Sequence, residues 1–191
     1  HVVRCFEDAN VVHVEGSVDP ARDIETINLE LIFADLESVE RRSERVQKML
    51  KAGDPRATVE AALMQKLKEA FDQGISARAL TYTDEEKEIL RTFPLLSLKP
   101  VLYVANVSEE DLLSGDENEY VRKVREIAAK EGSEVVVICA KIEAEIAELE
   151  PEEKGAFLAD LGLEESGLDR LIKAAFHLLG LMTFFTAGPM E

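Results

Sequence analysis

The chain has 191 residues, 46% of them hydrophobic and 32% charged, with a formal net charge of −17 at pH 7. So acidic a surface repels nucleic acid and anionic lipid as a whole, which excludes a generally basic nucleic-acid-binding domain. The uncharged stretches are shorter than the roughly 20 apolar residues that cross a bilayer. The two cysteines, Cys5 and Cys139, lie in apolar runs, as expected of buried thiols in a reducing compartment. We therefore expect a cytoplasmic protein with no membrane partner.

The first elements are apolar strands followed by a long helix. The run HVVRCF predicts a buried strand, and a second apolar run, VVHVEG, follows a short polar turn. Asp19 is the candidate N-cap of a helix that has Pro20 at its first position. Along this helix the side chains at a and d positions form a stripe with Ser43 as its one polar member: Leu29, Ile32, Leu36, Val39, Ser43, Val46 and Leu50.

A second striped helix follows a tight break. The segment Gly53-Asp54-Pro55 ends the first helix, and Asp54 can cap the next one, which stops at Gly74. Its stripe consists of Val59, Leu63, Leu67 and Ala70. Two striped helices joined by a short turn predict an antiparallel hairpin. Because the stripe is short for a coiled-coil dimer, we expect a coiled coil within the chain.

The hairpin is basic in an otherwise acidic chain. From Arg41 to Arg56 there are six bases and two acids, a local net charge of +4. The bases are Arg41, Arg42, Arg45, Lys48, Lys51 and Arg56. They form either a solvated helix face with ordinary charge pairs or a contact surface for a polyanion, and both interpretations stay open.

Beyond residue 80, helices alternate with apolar strands. Thr83 and Glu86 form a capping box for a short helix that stops before Pro94. Strands are predicted at 100–106 and 134–139, with a helix at 117–130 between them. Later helices are predicted from Lys141, from Pro151 and over 168–179, and the last ten residues are expected to be extended. Continuously apolar strands separated by helices predict an α/β fold whose parallel sheet is covered on both faces.

Two strand ends carry the candidate site. Asn106-Val107-Ser108-Glu109 follows one strand, and Cys139-Ala140-Lys141 follows the next. Ligands of open parallel sheets bind at the carboxyl ends of the strands. In GTP-binding proteins these two ends carry the NKxD and SAK motifs, which hold the guanine base. Asn106 matches the Asn, and Ala140-Lys141 match the second motif with Cys139 in place of Ser.

Four longer segments carry a family resemblance: HVVRCFEDANVVHVEGSVDPARDIETINLEL, ANVSEEDL, AAKEGSEVVVICAKIEAEIAEL and LLGLMTFFTAGPME. Over essentially the whole chain the sequence resembles the Obg-like ATPase family known as YchF. The resemblance implies a P-loop nucleotide-binding domain with an inserted helical hairpin, followed by a TGS domain. It places the nucleotide-binding domain at 1–28 and 81–180, the hairpin at 29–80, and a linker with the start of a truncated TGS domain at 181–191.

The same resemblance implies ATP and Mg²⁺ as cofactors and an association with ribosomes through the hairpin and the missing C-terminal domain. No G-x-x-x-x-G-K-[ST] motif occurs in the 191 residues, so we expect the phosphate loop and the Mg²⁺ ligands outside this chain. The chain alone is then predicted to be inactive. The alternative is a non-catalytic interaction module that uses the hairpin to bind a protein or RNA partner.

The departures from NKxD point to adenine. Guanine offers two donors that an Asp carboxylate can accept together, whereas adenine N1 is an acceptor. Glu109 is one methylene longer than Asp, and Val107 in place of Lys is expected to offer an apolar surface to the base. Asn106 would meet the purine edge, and the stem of Lys141 would cover the base. The competing interpretation is that Glu109 only begins an acidic turn.

Other polar residues are expected to be structural. His13 and His177 lie in apolar segments and are predicted to be packed, while His1 only opens the chain. Glu143 and Glu145 are two positions apart on a helix and make no carboxylate pair. No metal-ligand cluster and no Ser-His-Asp pattern stand out in the sequence.

Overall fold

The structure, a computed structural model, describes residues 1–8, 16–113, 118–186 and 188. Its strands and helices, in chain order, are β1 (Val2–Arg4), α1 (Pro20–Lys51), α2 (Pro55–Asp72), α3 (Asp84–Arg91), β2 (Leu102–Asn106), α4 (Glu119–Glu131), β3 (Glu134–Ile138), α5 (Ala140–Glu148), α6 (Pro151–Asp160) and α7 (Gly167–Leu178), with a 3-10 turn at Ala77–Ala79. The predicted run VVHVEG falls largely outside the described residues. By contacts the chain divides into two compact units, 1–21 with 101–191 and 22–100.

The first unit is built on a parallel sheet with the order β1-β2-β3. Val2 pairs with Val104, and Val104 pairs in turn with Val136. The central strand is apolar on both faces and is buried from Leu102 to Ala105, as expected of a parallel strand with cover on each side. The predicted α/β fold with a parallel sheet is therefore confirmed.

Helices cover the two faces of β2. Leu102 and Val136 pack with Ala174 of α7. Tyr103, one residue further along β2, donates its hydroxyl to Glu131 of α4 at 2.9 Å. Because successive side chains of a strand point to opposite faces, α7 and α4 lie on opposite sides of the sheet.

The second unit has its own aliphatic core. The cluster joins side chains of α1, α2 and the segment after them: Ile32, Val39, Leu63, Met64, Leu67, Phe71, Ala77, Leu90 and Leu95. Contacts along the two long helices pair Arg42 with Glu60, Glu40 with Lys68, and Leu29 with Gly74. The predicted caps are present: Asp54 accepts from the Arg56 amide, and Thr83 and Glu86 form the capping box.

This unit extends further along the chain than the predicted hairpin at 29–80. Asp35 of α1 is 3% exposed, and its carboxylate accepts the amides of Leu96 and Ser97 at 2.8 and 2.7 Å. Ser97 in turn accepts the Ala77 amide on its hydroxyl at 3.2 Å. Hydrogen bonds to a buried carboxylate hold the segment before β2 against α1, so the unit ends at Pro100.

Helix ends elsewhere agree with the sequence to within a few residues. Asn118 caps α4 by accepting the amides of Tyr120 and Val121, and Gly132 ends that helix with a φ of 68°. Residues 181–186 carry no regular structure. Within the described ranges, no helix is long and apolar enough to cross a membrane.

Candidate functional site

Asn106 joins the two strand ends directly. Its side-chain Oδ1 accepts the backbone amide of Ala140 at 2.9 Å. The first amides of a helix have no partner within the helix, and Cys139, the N-cap residue of α5, makes no side-chain bond to them. Asn106 therefore supplies the cap from the neighbouring strand, and the two predicted motifs are one connected structure.

Glu109 and Lys141 also meet at this edge. The Glu109 Oε2 atom lies 3.0 Å from Lys141 Nζ, with side chains 51% and 70% exposed. The hydrogen bond to Glu109 is the main reason why the pKa of Lys141 is raised above its ordinary value. Because exposed ion pairs contribute little free energy, this pair can separate at small cost when a ligand approaches.

Two of the predicted contact residues are buried. Val107 and Cys139 are each 2% exposed, although both belong to the lining of the groove at this edge of the sheet. The sheet continues one hydrogen bond beyond β2, from the Val107 amide to the Ile138 carbonyl at 2.8 Å. The Val107 side chain is almost covered where it lines the groove, and its service as an apolar surface for a base stays a prediction.

The acidic turn after Val107 borders an open groove of about 1150 Å³. Ser108 accepts the Asp111 amide at 3.2 Å, and Asp111 accepts the side-chain amide of Asn118 at 3.1 Å. The carboxylates that line the groove are Glu7, Asp8, Glu109, Glu110 and Asp111. Lys141 is the one basic side chain among the described residues of its lining. Such a groove suits a neutral group with hydrogen-bonding edges better than an anionic one.

Glu143 has a role that the sequence analysis missed. Its carboxylate accepts the amides of Gly167 at 2.7 Å and Leu168 at 3.1 Å, so a residue of α5 caps α7. A Cβ at Gly167 would lie 2.8 Å from both the Glu143 carboxylate and Ile138 Cγ2. No local pattern predicts a cap that is supplied from another helix, which is why the sequence analysis said of Glu143 only that it makes no carboxylate pair with Glu145.

Comparisons with known proteins agree on one family. No family model matches the chain. The chain is 56% identical to the ribosome-binding ATPase YchF of Bacillus subtilis and 51% identical to that of Escherichia coli O157:H7, in each case over all 191 residues and 52% of the relative. The structure of the Schizosaccharomyces pombe YchF GTPase matches with a TM-score of 0.81 at 30% identity, covering 98% of this chain and 51% of that one.

The chain belongs to the YchF family. It spans about half the length of the curated YchF relatives that it matches.

The basic residues of this YchF chain fall into two groups. Arg41 pairs with Glu37 at 2.9 Å, and Arg42 pairs with the nearly buried Glu60 while its guanidinium lies 5.5 Å from the Phe93 ring centre. The charge of Arg42 is thus paired inside the unit, and its role as a contact for a partner stays a prediction. Arg45, Lys48, Lys51 and Arg56 are exposed.

Two further expectations from the sequence concern the histidines and metal binding. The side chain of His177 is 87% exposed, with Nδ1 3.5 Å from Glu134, so the prediction that it is packed is wrong. His13 lies outside the described residues. Within the described part of the chain, no group of three or more His, Cys, Asp or Glu side chains could hold a metal ion.

Proposed function

We propose that this chain forms the purine-recognition half and the helical arm of a YchF-type P-loop protein that binds and hydrolyses ATP in the cytoplasm. The observation that carries the proposal is the hydrogen bond from the Ala140 amide to Asn106 Oδ1, which unites the ends of β2 and β3 at the rim of one groove. The names of the relatives, an ATPase and a GTPase, support a nucleotide hydrolase.

A purine base would be held by a hydrogen bond to its edge and by contact with the aliphatic stem of Lys141. Asn106 uses its Oδ1 on Ala140, which leaves its amide hydrogens for a purine acceptor such as N7. The aliphatic stem of Lys141 can lie along the base once the pair with Glu109 opens. With Glu109 in place of Asp and no Lys at the position of Val107, the two-pronged reader of guanine is incomplete, which favours adenine.

In this proposal, residues outside this chain bind the phosphates and Mg²⁺. The 191 residues contain no G-x-x-x-x-G-K-[ST] motif, and the groove is lined by carboxylates that repel a triphosphate. The described residues likewise do not fit Mg²⁺, since they form no ligand cluster. We therefore assign no catalytic step to this chain and place the hydrolytic residues in the other half of the longer protein.

Asn106 provides the test. In the full-length protein, Asn106→Asp keeps an oxygen acceptor for the Ala140 amide but removes the two N–H donors. We expect the Kd for ATP to rise about tenfold, in line with the loss of a hydrogen bond to a buried ligand edge, while the melting temperature changes little. Calorimetry measures the first quantity and thermal unfolding the second.

Two further variants serve as controls for Asn106→Asp. Asn106→Ala removes the cap as well and should lower both ATP affinity and the melting temperature. Gln47→Ala removes an exposed amide from α1 and should change neither. ATP binding by Asn106→Asp equal to that of the parent protein would remove Asn106 from the base site.

A second candidate function concerns the arm. We propose that α1 and α2 form an antiparallel coiled-coil hairpin whose exposed bases contact ribosomal RNA, in keeping with the relatives' description as ribosome-binding ATPases. The paired contacts along α1 and α2 support the antiparallel arrangement. The TGS domain expected in the longer protein would add to the same contact. If the full-length protein neither bound nor hydrolysed ATP, the non-catalytic interaction module would be the better description.

A further inference from the structure

Helices α2 and α3 form two walls of an open cavity within the second unit. Lys66 of α2 pairs with Glu86 at the beginning of α3, whereas the Arg42–Glu60 pair lies beside Phe93, just beyond the end of α3. The two helices therefore run antiparallel. The cavity between them has a volume of about 560 Å³, within the range of small-molecule sites, and we call it the α2–α3 cavity.

One end of the α2–α3 cavity carries a guanidinium that is already held in place. Arg42 donates its Nε to the Glu60 carboxylate and lies over the Phe93 ring, with its side chain 24% exposed. Among the described residues, its two terminal nitrogens have no hydrogen-bond partner. Arg56, one turn before Glu60 on α2, lines the same end and has no ion-pair partner within that part of the chain. Because guanidinium groups bind planar anions through paired N–H groups, this end suits a carboxylate.

The opposite end of the cavity carries a free acidic group. Glu85, in the first turn of α3, is exposed, lines the cavity and makes no ion pair with any residue that the structure describes. Glu88 lines the same wall, but it pairs with Arg91. From Glu85 to Thr92 this wall is about 10 Å long at 1.5 Å per residue. Uncommitted charges of opposite sign therefore lie at the two ends of one short trough.

The lining between the two ends is apolar. Val59 lies next to Glu60 on α2, Ile89 lies one turn after Glu85 on α3, and both line the cavity. Aliphatic side chains offer no hydrogen bond, so this stretch favours carbon over polar atoms. A methylene chain placed here would remove the exposed parts of Val59 and Ile89 from water.

We propose that the α2–α3 cavity binds a small linear zwitterion whose carboxylate is held by Arg42 and Arg56. Its ammonium group pairs with Glu85, and its methylene chain covers Val59 and Ile89. A dicarboxylate fits less well because one end would meet Glu85, and a diamine fits less well because one end would meet the two arginines. The proposal is independent of nucleotide binding and of the ribosome contact.

Three probes of similar length test the proposal in the full-length protein. ε-Aminocaproate carries both charges, caproate carries only the carboxylate, and hexylamine carries only the ammonium group. Binding is followed by the chemical shifts of the Val59 and Ile89 methyl groups at low ionic strength, because salt screens exposed charges. We expect ε-aminocaproate to bind about threefold to tenfold more tightly than either other probe. Equal affinities for the three probes, or no saturable shift with ε-aminocaproate, would overturn the proposal.

Two substitutions assign the ends of the cavity. Arg56→Gln should lower the affinity for caproate and ε-aminocaproate about threefold without lowering that for hexylamine. Glu85→Gln should lower the affinity for hexylamine and ε-aminocaproate by a similar factor without lowering that for caproate. Arg45→Gln and Glu44→Gln make the same changes at exposed positions of α1 that are not among those lining the cavity, and they should change none of the three affinities. Equal losses in the control variants would contradict the proposed site.

Discussion

At the scale of single residues, the site depends on which polar atoms are already used. Asn106 has an acceptor committed to Ala140, Glu109 is tied only loosely to Lys141, and Val107 is buried. Changing Val107 to Lys to rebuild a guanine reader would therefore bury an ammonium group and destabilise the strand end. Glu109 is the position at which base choice can be changed without that cost.

We expect Glu109→Asp in the full-length protein to shift the ratio of ATP to GTP affinity toward GTP by about threefold to tenfold, the range of one hydrogen bond. The shorter carboxylate returns to the geometry that accepts both guanine donors. Glu126→Asp, the same change at an exposed residue of α4 that is not among those lining the groove, is the control and should leave the ratio alone. Strong GTP preference in the unmodified protein would contradict this account of the base site.

At the scale of helices, the basic side chains of the arm differ in whether they face its core or solvent. Arg41, Arg45 and Lys48 are spaced by four and three, so they share the face of α1 that is opposite to Ile32, Val39 and Val46. Those three apolar side chains are buried in the unit. The bases thus project from the side of α1 that its own core does not use, which is the geometry that a contact with a polyanion requires.

Reversing three of the exposed bases of the arm should weaken a ribosome contact. For Lys48→Glu, Lys51→Glu and Arg56→Glu together, we expect reduced co-sedimentation of the full-length protein with ribosomes and unchanged ATP affinity. The contact should weaken steeply as salt rises, because each neutralised phosphate releases counterions.

The control for the arm carries the same change in net charge elsewhere. Lys99, Lys123 and Lys130 are exposed residues outside the arm, and their combined change to Glu should leave co-sedimentation near the level of the parent protein. An equal loss in both triple variants would indicate a general effect of net charge. Unchanged co-sedimentation of the arm variant at low salt would make the basic face an ordinary solvated one.

The short range over which sequence patterns act explains which features of the fold could be predicted. Apolar periodicity and caps act within a few residues, so the long helices, the capping box at Thr83 and the end of α4 at Gly132 were predictable. The buried Asp35, the Arg42–Glu60 pair and the cap from Glu143 depend on residues far apart in the chain. No local pattern distinguishes these side chains from exposed ones. The exposure of His177, by contrast, follows from its place on the polar side of α7 with Asp169, Arg170 and Lys173.

At the scale of the whole molecule, nucleotide recognition and nucleotide hydrolysis are expected to be separable. Phosphoryl transfer depends on a phosphate loop and Mg²⁺, and the sequence contains no such loop. We expect the 191-residue chain to hydrolyse neither ATP nor GTP above background, whereas the full-length protein hydrolyses ATP. Phosphate release that co-purifies with the 191-residue chain through successive columns would contradict this expectation.

The cap from Glu143 also determines where the chain can be lengthened. Since α7 is held at its first turn by two hydrogen bonds from α5, we expect its position to depend little on the intervening α6, whose Phe157 and Leu158 pack on α5 but are not fully buried. A peptide tag or a fluorescent reporter inserted near Gly162, which ends α6 with a φ of 70°, could then be carried without moving the sheet. The stretch from α6 to α7 is thus a natural point of attachment for following this protein in cells.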